Sequence, residues 1–328
     1  MVARPSPLLA AAAGLAVLGA AAAVVVARRR QRRSWTPIGT VRALTLYPLK
    51  SGAGQPLQRG RVTLLGLRGG DGVLDRSLAV VCGGKVMDAG TRRRLVLISA
   101  EIGAGEVTLS APEVKSLTVP LPKDGEATMM EVDLNGHPDS GADLGPEAAR
   151  WLHEFFADGK SYSLMYFLPG AVTPRRTSQL PHPYVHLADP EDAVTYNFVT
   201  PLSVICDASI DELNRRLASP VTVHQFRHNI VVGGAAPFDD DDWRLVRVGG
   251  AQLRRVKPVH RCGITLVDPN TGERSDAMEP LRTLRTFRLA RTAEERRLYK
   301  EAPLLGSALA VDQEGDVAVG DTVYVTRD

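Results

Sequence analysis

Short runs that alternate apolar and polar residues, each cut off by Gly, Pro, Asn or Asp, recur along most of this chain. That pattern limits it to folds made of many short strands. Residues 41–49, in "VRALTLYPLKSGAG", alternate up to a Ser-Gly break and predict a strand running into a loop. "RVTLLGL", "SLAVVCGG", "RLVLISAEIGAGEVTLSAP", "SLTVPLP" and "ATMMEVDLNGH" predict further strands, with a hairpin turn at "GAGE". "FRHNIVVGG", "WRLVRVGGAQLRRVKPV", "GITLVDPNTG", "TLRTFRLA" and "DTVYVTRD" continue the series to the C-terminus. Helical spacing is clear in "GPEAARWLHEFFADG", where Ala148, Trp151, Leu152, Phe155 and Phe156 share a face and Gly159 is the expected stop. A second helix is expected after "TPLSVIC", capped by Asp207 or Ser209. The sum is a β-rich α+β fold, barrel-like, with few helices.

The chain divides into three parts. Residues 8–27, "LLAAAAGLAVLGAAAAVVVA", carry no charge and match the length of a membrane-spanning helix. "RRRQRR" follows directly. One Arg before the run and five after it predict a signal anchor, residues 1–35, with everything downstream on the cytosolic side. An Ala-rich anchor with basic flanks suits the mitochondrial outer membrane, with peroxisome and endoplasmic reticulum as the other candidates. "SWTPIGT" reads as an exposed linker, residues 40–185 as a β-rich first domain, and residues 186–328 as a second. The Pro-rich, polar stretch before residue 185 marks the boundary.

Charge supports the same division. The formal net charge of +3 comes from six arginines in residues 1–35; beyond them 34 basic residues face 37 acidic ones. Nothing in that balance suggests a nucleic-acid binder. The sequence lacks G-x-G-x-x-G after a strand, a Walker loop, H-E-x-x-H and G-x-S-x-G, so the usual nucleotide and hydrolase signatures are absent. Cys82, Cys206 and Cys262 are three widely spaced cysteines, which is neither a disulfide framework nor an iron–sulfur set. Cys82 and Cys206 sit in apolar runs and read as core thiols. Cys262 follows Lys257, His260 and Arg261, and cationic neighbours favour the thiolate, the form that attacks electrophiles or binds soft metals. Core thiol, nucleophile and metal ligand all stand for it on this ground alone. The anion-binding candidates are Lys50 and Ser51 in "PLKSG", Arg76 in "LDRS", and Arg227 and Asn229 in "FRHN".

In order, "YPLKSG", "LDRSLAVV", "RLVLIS", "TPLSVICDASIDELN", "FRHNIVV" and "HRCGITLVDPNTG" resemble the molybdenum-cofactor sulfurase C-terminal (MOSC) proteins, and among them the amidoxime-reducing branch. The resemblance covers residues 40–328, and R-C-x-x-T-x-V-D-P-x-T-G is its most specific part. It implies a MOSC-type β-barrel with an N-terminal MOSC-associated β-rich domain, plus one transmembrane helix. It also implies a bound Mo-molybdopterin, with Cys262 the metal ligand. Lys50, Ser51, Arg76, Thr200, Arg227, Asn229, His260 and Arg261 would surround the pterin and its phosphate. Asp268 would orient the Cys262 loop or deliver protons, a reading that competes with a plain D-P-N-T-G turn. The implied activity is reduction of amidoximes, hydroxylamines and N-oxides, with electrons from cytochrome b5 and NADH-cytochrome b5 reductase. The other readings are a cofactor-binding or sulfur-carrier module without turnover, and a thiol enzyme without metal. The text departs from the family at Leu78, in residues 89–94 and at His260. A cofactor shared by Lys50 and Cys262 further requires the strand before Lys50 to pack in the C-terminal barrel.

Overall fold

The computed structural model describes residues 34–180 and 188–327. The expected anchor over residues 8–27 lies outside them, and among the described residues no helix is long and apolar enough to cross a membrane.

The larger unit is a seven-strand ring. Its order is Ile230–Gly233, Leu202–Cys206, Leu304–Gln313, Ala251–His260, Leu245–Val248, Thr322–Thr326 and Thr36–Leu46, and the last strand pairs back with the first. Thr36–Leu46 closes the ring by using its two halves differently. Thr36 to Thr40 pair with Val325 to Thr322, while Thr40 to Leu44 pair with Gly233 to Ile230. The short strand Gln55–Leu57 extends the sheet from the end of this strand. The interior is filled by alternate residues of every stave, including Leu44, Val204, Val232, Val246, Leu253, Leu309 and Val325, with Trp243 plugging one side. Each such burial is worth about 1.5–3 kcal/mol relative to exposure.

The smaller unit is a closed five-strand barrel in the order Met129–Asp133, Pro138–Asp143, Tyr162–Tyr166, Leu78–Cys82, Lys85–Val86. The helix Gly145–Phe156 packs Ala148, Trp151, Leu152 and Phe155 against it, together with the sheet Ser99–Gly103, Glu106–Ser110, Leu117–Pro120. The helix ends at Ala157, in the left-handed region at φ 48°, two residues before the expected Gly159. Ala104 and Gly105, with φ of 52° and 80°, form the two-residue turn expected at "GAGE".

Several expectations fail locally. "SWTPIGT" is no linker. It carries the opening half of the barrel-closing strand, its alternation hidden by Pro37 and Gly39, where the register shifts. "GITLVDPNTG" is a turn of 3-10 helix, Gly263–Leu266, followed by a loop, because Thr265 turns back to bond the Cys262 carbonyl. "TLRTFRLA" is no strand: its first three residues end the helix Leu281–Arg285, where Leu281 and Leu284 are buried and the Glu279 carboxylate accepts the Thr283 N–H at 3.1 Å. "RLVLIS" is a 3-10 turn, Arg93–Leu97, ahead of its strand. Neither Asp207 nor Ser209 caps the helix Asp207–Asn214 from outside. Cys206 holds the cap position without a side-chain bond, and the Ser209 hydroxyl instead accepts the Phe238 N–H at 2.8 Å. The strand before Lys50, by contrast, packs as a shared cofactor requires: residues 36–46 and 55–57 belong to the C-terminal barrel.

Candidate active site

Between the two barrels lies a cavity of about 340 Å³. Lys50, Ser51, Arg76, Thr200, Arg227, Asn229, His260, Arg261 and Cys262 all line it. Lys50 and Cys262 thus meet in one cavity, as the position of Thr36–Leu46 in the large barrel requires. Asp268 is not among the lining residues. Its carboxylate accepts the N–H groups of Asn270 (2.7 Å) and Thr271 (3.3 Å), so it orders the loop that follows Cys262.

The site hangs on a carboxylate that sequence reading did not single out. Asp75, fully buried, accepts from the Tyr47 N–H at 2.9 Å, Asn229 Nδ2 at 3.0 Å and Asn197 Nδ2 at 3.2 Å, and pairs with Arg76. Four separate chain segments meet on it. Asn229 continues the lock by donating to the Thr45 carbonyl at 3.2 Å and accepting the Ser203 N–H at 3.2 Å. Arg76 Nη2 donates to the Arg227 carbonyl at 3.0 Å. The Tyr47 ring lies between the two guanidiniums, 4.5 Å from Arg76 and 4.4 Å from Arg227. Ser51, Arg76 and Arg227 all sit in the left-handed backbone region, with φ of 65°, 51° and 58°. Backbone of that kind costs energy and persists only where the surroundings fix it.

Arg261 is spent on the protein. Its Nε donates to the Leu305 carbonyl at 2.9 Å, its Nη1 to Phe226 at 2.9 Å, and its Nη2 to neutral His228. Burial first, then the Arg261 charge, keeps His228 well below the ordinary imidazole range, and burial lowers Arg261 to about 9. Gly306, at φ 80°, permits this packing, because a Cβ there would run into the His228 ring. A ligand is therefore offered the backbone of Arg261 and the side chains beyond it. Thr200 donates to the Leu202 carbonyl at 3.2 Å.

What remains facing the cavity is excess positive charge. Five cations line it, Lys50, Arg76, Arg227, Lys257 and Arg261, against one carboxylate, Asp88. Lys50 Nζ donates to the Tyr196 carbonyl at 2.8 Å; burial pulls its pKa down to about 7, with the Arg175 charge adding and Asp88 opposing. Lys257, buried beside Arg261 and Arg255, is lowered to about 7 as well, by burial first. Arg227 is lowered to about 10 by burial, and its Nη2 is buried without a hydrogen-bond partner. Cations whose pKa values burial has pulled down fit an anionic ligand, whose charge would raise each of them again. Cys262, by contrast, is exposed, at the head of the Gly263–Leu266 turn, and its carbonyl accepts both the Thr265 N–H (3.1 Å) and hydroxyl (2.8 Å). Among the described residues no three His, Cys, Asp or Glu side chains are placed to hold a metal together. A metal on Cys262 must bring most of its own ligands, and a pterin dithiolene does that. Donor set and charge both fit the implied cofactor.

The cavity's charge predicts a pH effect. A lysine whose folded pKa lies below its unfolded one destabilises the fold fully below the folded value, and the penalty disappears as pH rises toward the unfolded value. For Lys50 and Lys257 that window opens near pH 7. An anion reverses it by favouring the protonated forms. Sulfate, whose charge is constant over the range, should bind at least about tenfold more weakly at about pH 9 than at about pH 6, with proton uptake visible in calorimetry. An affinity flat across that range would show that the two ammoniums do not face the ligand.

Such a cavity between a MOSC-like barrel and a smaller one defines a MOSC-domain protein. The chain matches the MOSC domain over residues 186–324 and the MOSC N-terminal beta barrel domain over residues 38–159. It is 35% identical over 325 residues to the human protein named mitochondrial amidoxime-reducing component 1, covering 98% of this chain and 94% of that one. The Xenopus laevis protein of the same name is 35% identical over 292 residues, covering 88% and 83%. Human mitochondrial amidoxime reducing component 2 is 34% identical over 326 residues, covering 98% and 95%. The chain belongs to the mitochondrial amidoxime-reducing component family.

Asp75 and Tyr47 lie inside the motifs that carry the resemblance, in "LDRS" and "YPLKSG", and Lys257 reads in sequence only as a basic neighbour of Cys262. Asn197, in "TYNFVTP", and Phe198 gave no signal, because their roles depend on which strands meet. Phe198, 40% exposed, lines the cavity with its ring 5.8 Å from that of His260.

Proposed function

We propose that this protein is a molybdenum-cofactor-dependent reductase of N-hydroxylated compounds such as amidoximes, hydroxylamines and N-oxides. The observation that carries the reading is a lone exposed thiol, Cys262, in a cavity of buried, under-compensated cations, in a chain whose relatives are named for amidoxime reduction.

When bound, the cofactor supplies the two-electron chemistry that converts an N–OH group, with two protons, to N–H and water. The protein's residues do the rest. Cys262, exposed two residues past the Ala251–His260 strand, would hold the metal. Lys50, Ser51, Arg227 and Lys257 meet the anionic groups, and Asp75, Arg76, Asn229 and Arg261 hold those residues in place from behind. Phe198 and His260 form one wall of the cavity, where flat substrate groups can lie against them. Asp88, from the loop where the sequence departs from the family, contributes the one negative charge.

Electrons reach the site from outside. The sequence contains no flavin, nicotinamide or iron–sulfur signature, and the family resemblance supports cytochrome b5 with NADH-cytochrome b5 reductase as the donor chain. The relatives' names support a mitochondrial location. The composition of residues 1–35 supports an outer-membrane signal anchor with the barrels in the cytosol. The test is direct. The full chain, made in a host that synthesises the cofactor, should hold about one molybdenum per chain and reduce an aryl amidoxime with reduced cytochrome b5 as donor. Full loading without turnover on any N–O substrate would leave the carrier reading instead.

A further inference from the structure

The large barrel has a second concavity that the cofactor cavity does not use. A groove of about 800 Å³ on its outer face is lined by Trp35, Arg244, Arg247, Arg254 and Arg255, with Asp312 its one acidic residue. Two of the arginines are engaged. Arg254 pairs with Asp192 at 2.8 Å and Asp312 at 3.1 Å, and Arg255 Nε donates to the Ser307 hydroxyl at 2.9 Å. Arg244 and Arg247 are exposed, and among the described residues no carboxylate pairs with either. The Arg247 guanidinium instead lies over the half-buried Trp35 indole, 4.4 Å from its centre.

The position of the groove indicates what it faces. Trp35 immediately precedes the strand Thr36–Leu46, so the groove sits where the chain enters the barrel. Upstream come "RRRQRR" and the uncharged run over residues 8–27. The steps from residue 27 to Trp35 span at most about 28 Å when fully extended. With residues 8–27 crossing a bilayer, as their composition predicts, the groove lies within that tether of the membrane surface. An indole among guanidiniums is the combination that settles at headgroup depth, and guanidinium forks take phosphate oxygens in paired hydrogen bonds.

We propose that this groove docks on an anionic phospholipid surface, Arg244 and Arg247 taking lipid phosphates and Trp35 entering the interface beside them. Charge alone also permits an acidic protein. The indole and the short tether favour lipid, because a protein partner requires neither. The strand that brings Arg254 and Arg255 to the groove runs on to Lys257 and His260 in the cofactor cavity, so docking holds that cavity at a fixed height above the bilayer. The proposal rests on the anchor and the groove and is independent of the redox chemistry.

The chain's tryptophans provide the readout. Trp151 and Trp243 are buried, at 5% and 2% exposure, so a quencher in the lipid headgroups reports on Trp35. The full chain is reconstituted into vesicles of phosphatidylcholine alone or with added phosphatidylserine, each carrying a headgroup spin label. Quenching should be at least about twofold stronger with the anionic lipid, and the difference should disappear in high salt. It should also fall in Arg244→Gln, which leaves the Arg247 guanidinium in place over Trp35, and further when Arg247→Gln is added, with thermal midpoints checking the fold. The salt comparison on the parent stands even where a variant fails to fold. Equal quenching in both vesicles overturns the proposal, as does quenching that salt leaves unchanged. So does a Trp35 emission shift with free inorganic phosphate in neutral vesicles, which would mark a site for the soluble ion. Shielding of Trp35 by an acidic protein but not by anionic lipid would overturn it too.

Discussion

Cys262→Ala keeps its fold and its anion affinity and loses N–O reductase activity by about 100-fold or more. The expectation follows from how the residue is held. Its thiol is exposed, and its structural contribution is its carbonyl, which anchors the Thr265 N–H and hydroxyl. Alanine keeps that carbonyl and the extended φ of −129°. The cavity lining offers no second thiol to replace it. The decisive comparison sets three readouts side by side: thermal midpoint, sulfate affinity and turnover of the loaded protein. A variant that folds, binds sulfate and still reduces substrate at the parental rate would remove Cys262 from the metal and leave the cations with another ligand.

Asp75→Ala should do the opposite, wrecking the site by unfolding its frame. Its carboxylate is wholly buried and serves the Tyr47 N–H, Asn197, Asn229 and Arg76. Truncation leaves a largely covered guanidinium, 14% exposed, without its counterion and three N–H groups without the acceptor they share. Breaking a buried pair from one side costs about 3–5 kcal/mol, which should lower the thermal midpoint by about 10 °C in a chain of this size. Asp75→Asn retains the shape and part of the bonding, and should fall between. A midpoint within about a degree of the parent in Asp75→Ala would mean that the four segments are held by packing alone.

What the sequence disclosed follows from which interactions are local. The helix Gly145–Phe156 was legible because its apolar stripe is written in consecutive turns. The hairpin at "GAGE" was legible because Ala104 and Gly105 carry the turn themselves. Thr36 to Thr40 looked like a linker because their only reason to extend is a partner, Thr322–Thr326, at the far end of the chain. "TLRTFRLA" and "GITLVDPNTG" have strand composition, yet Glu279 and Thr265 turn each segment with side-chain bonds that composition does not display. At the site, the residues with conspicuous chemistry (Cys262, Lys50, the arginines) were found from the motifs that carry the family resemblance. The carboxylate and amide that hold them, Asp75 and Asn197, do ordinary work at long range, and only the assembled barrels reveal it.

The closing strand also sets an order of events in the cell. Thr36–Leu46 leaves the ribosome long before its partner Thr322–Thr326, which lies nearly the whole described length of the chain away. The five-strand barrel uses residues 78–166 alone and can assemble during translation. The ring cannot close, and the cavity between the barrels cannot take its final form, until Thr322–Thr326 has been made. Any ligand that needs the finished cavity is therefore bound only after that strand has emerged. Until then the N-terminal stave is an unpaired edge that must be kept from pairing elsewhere.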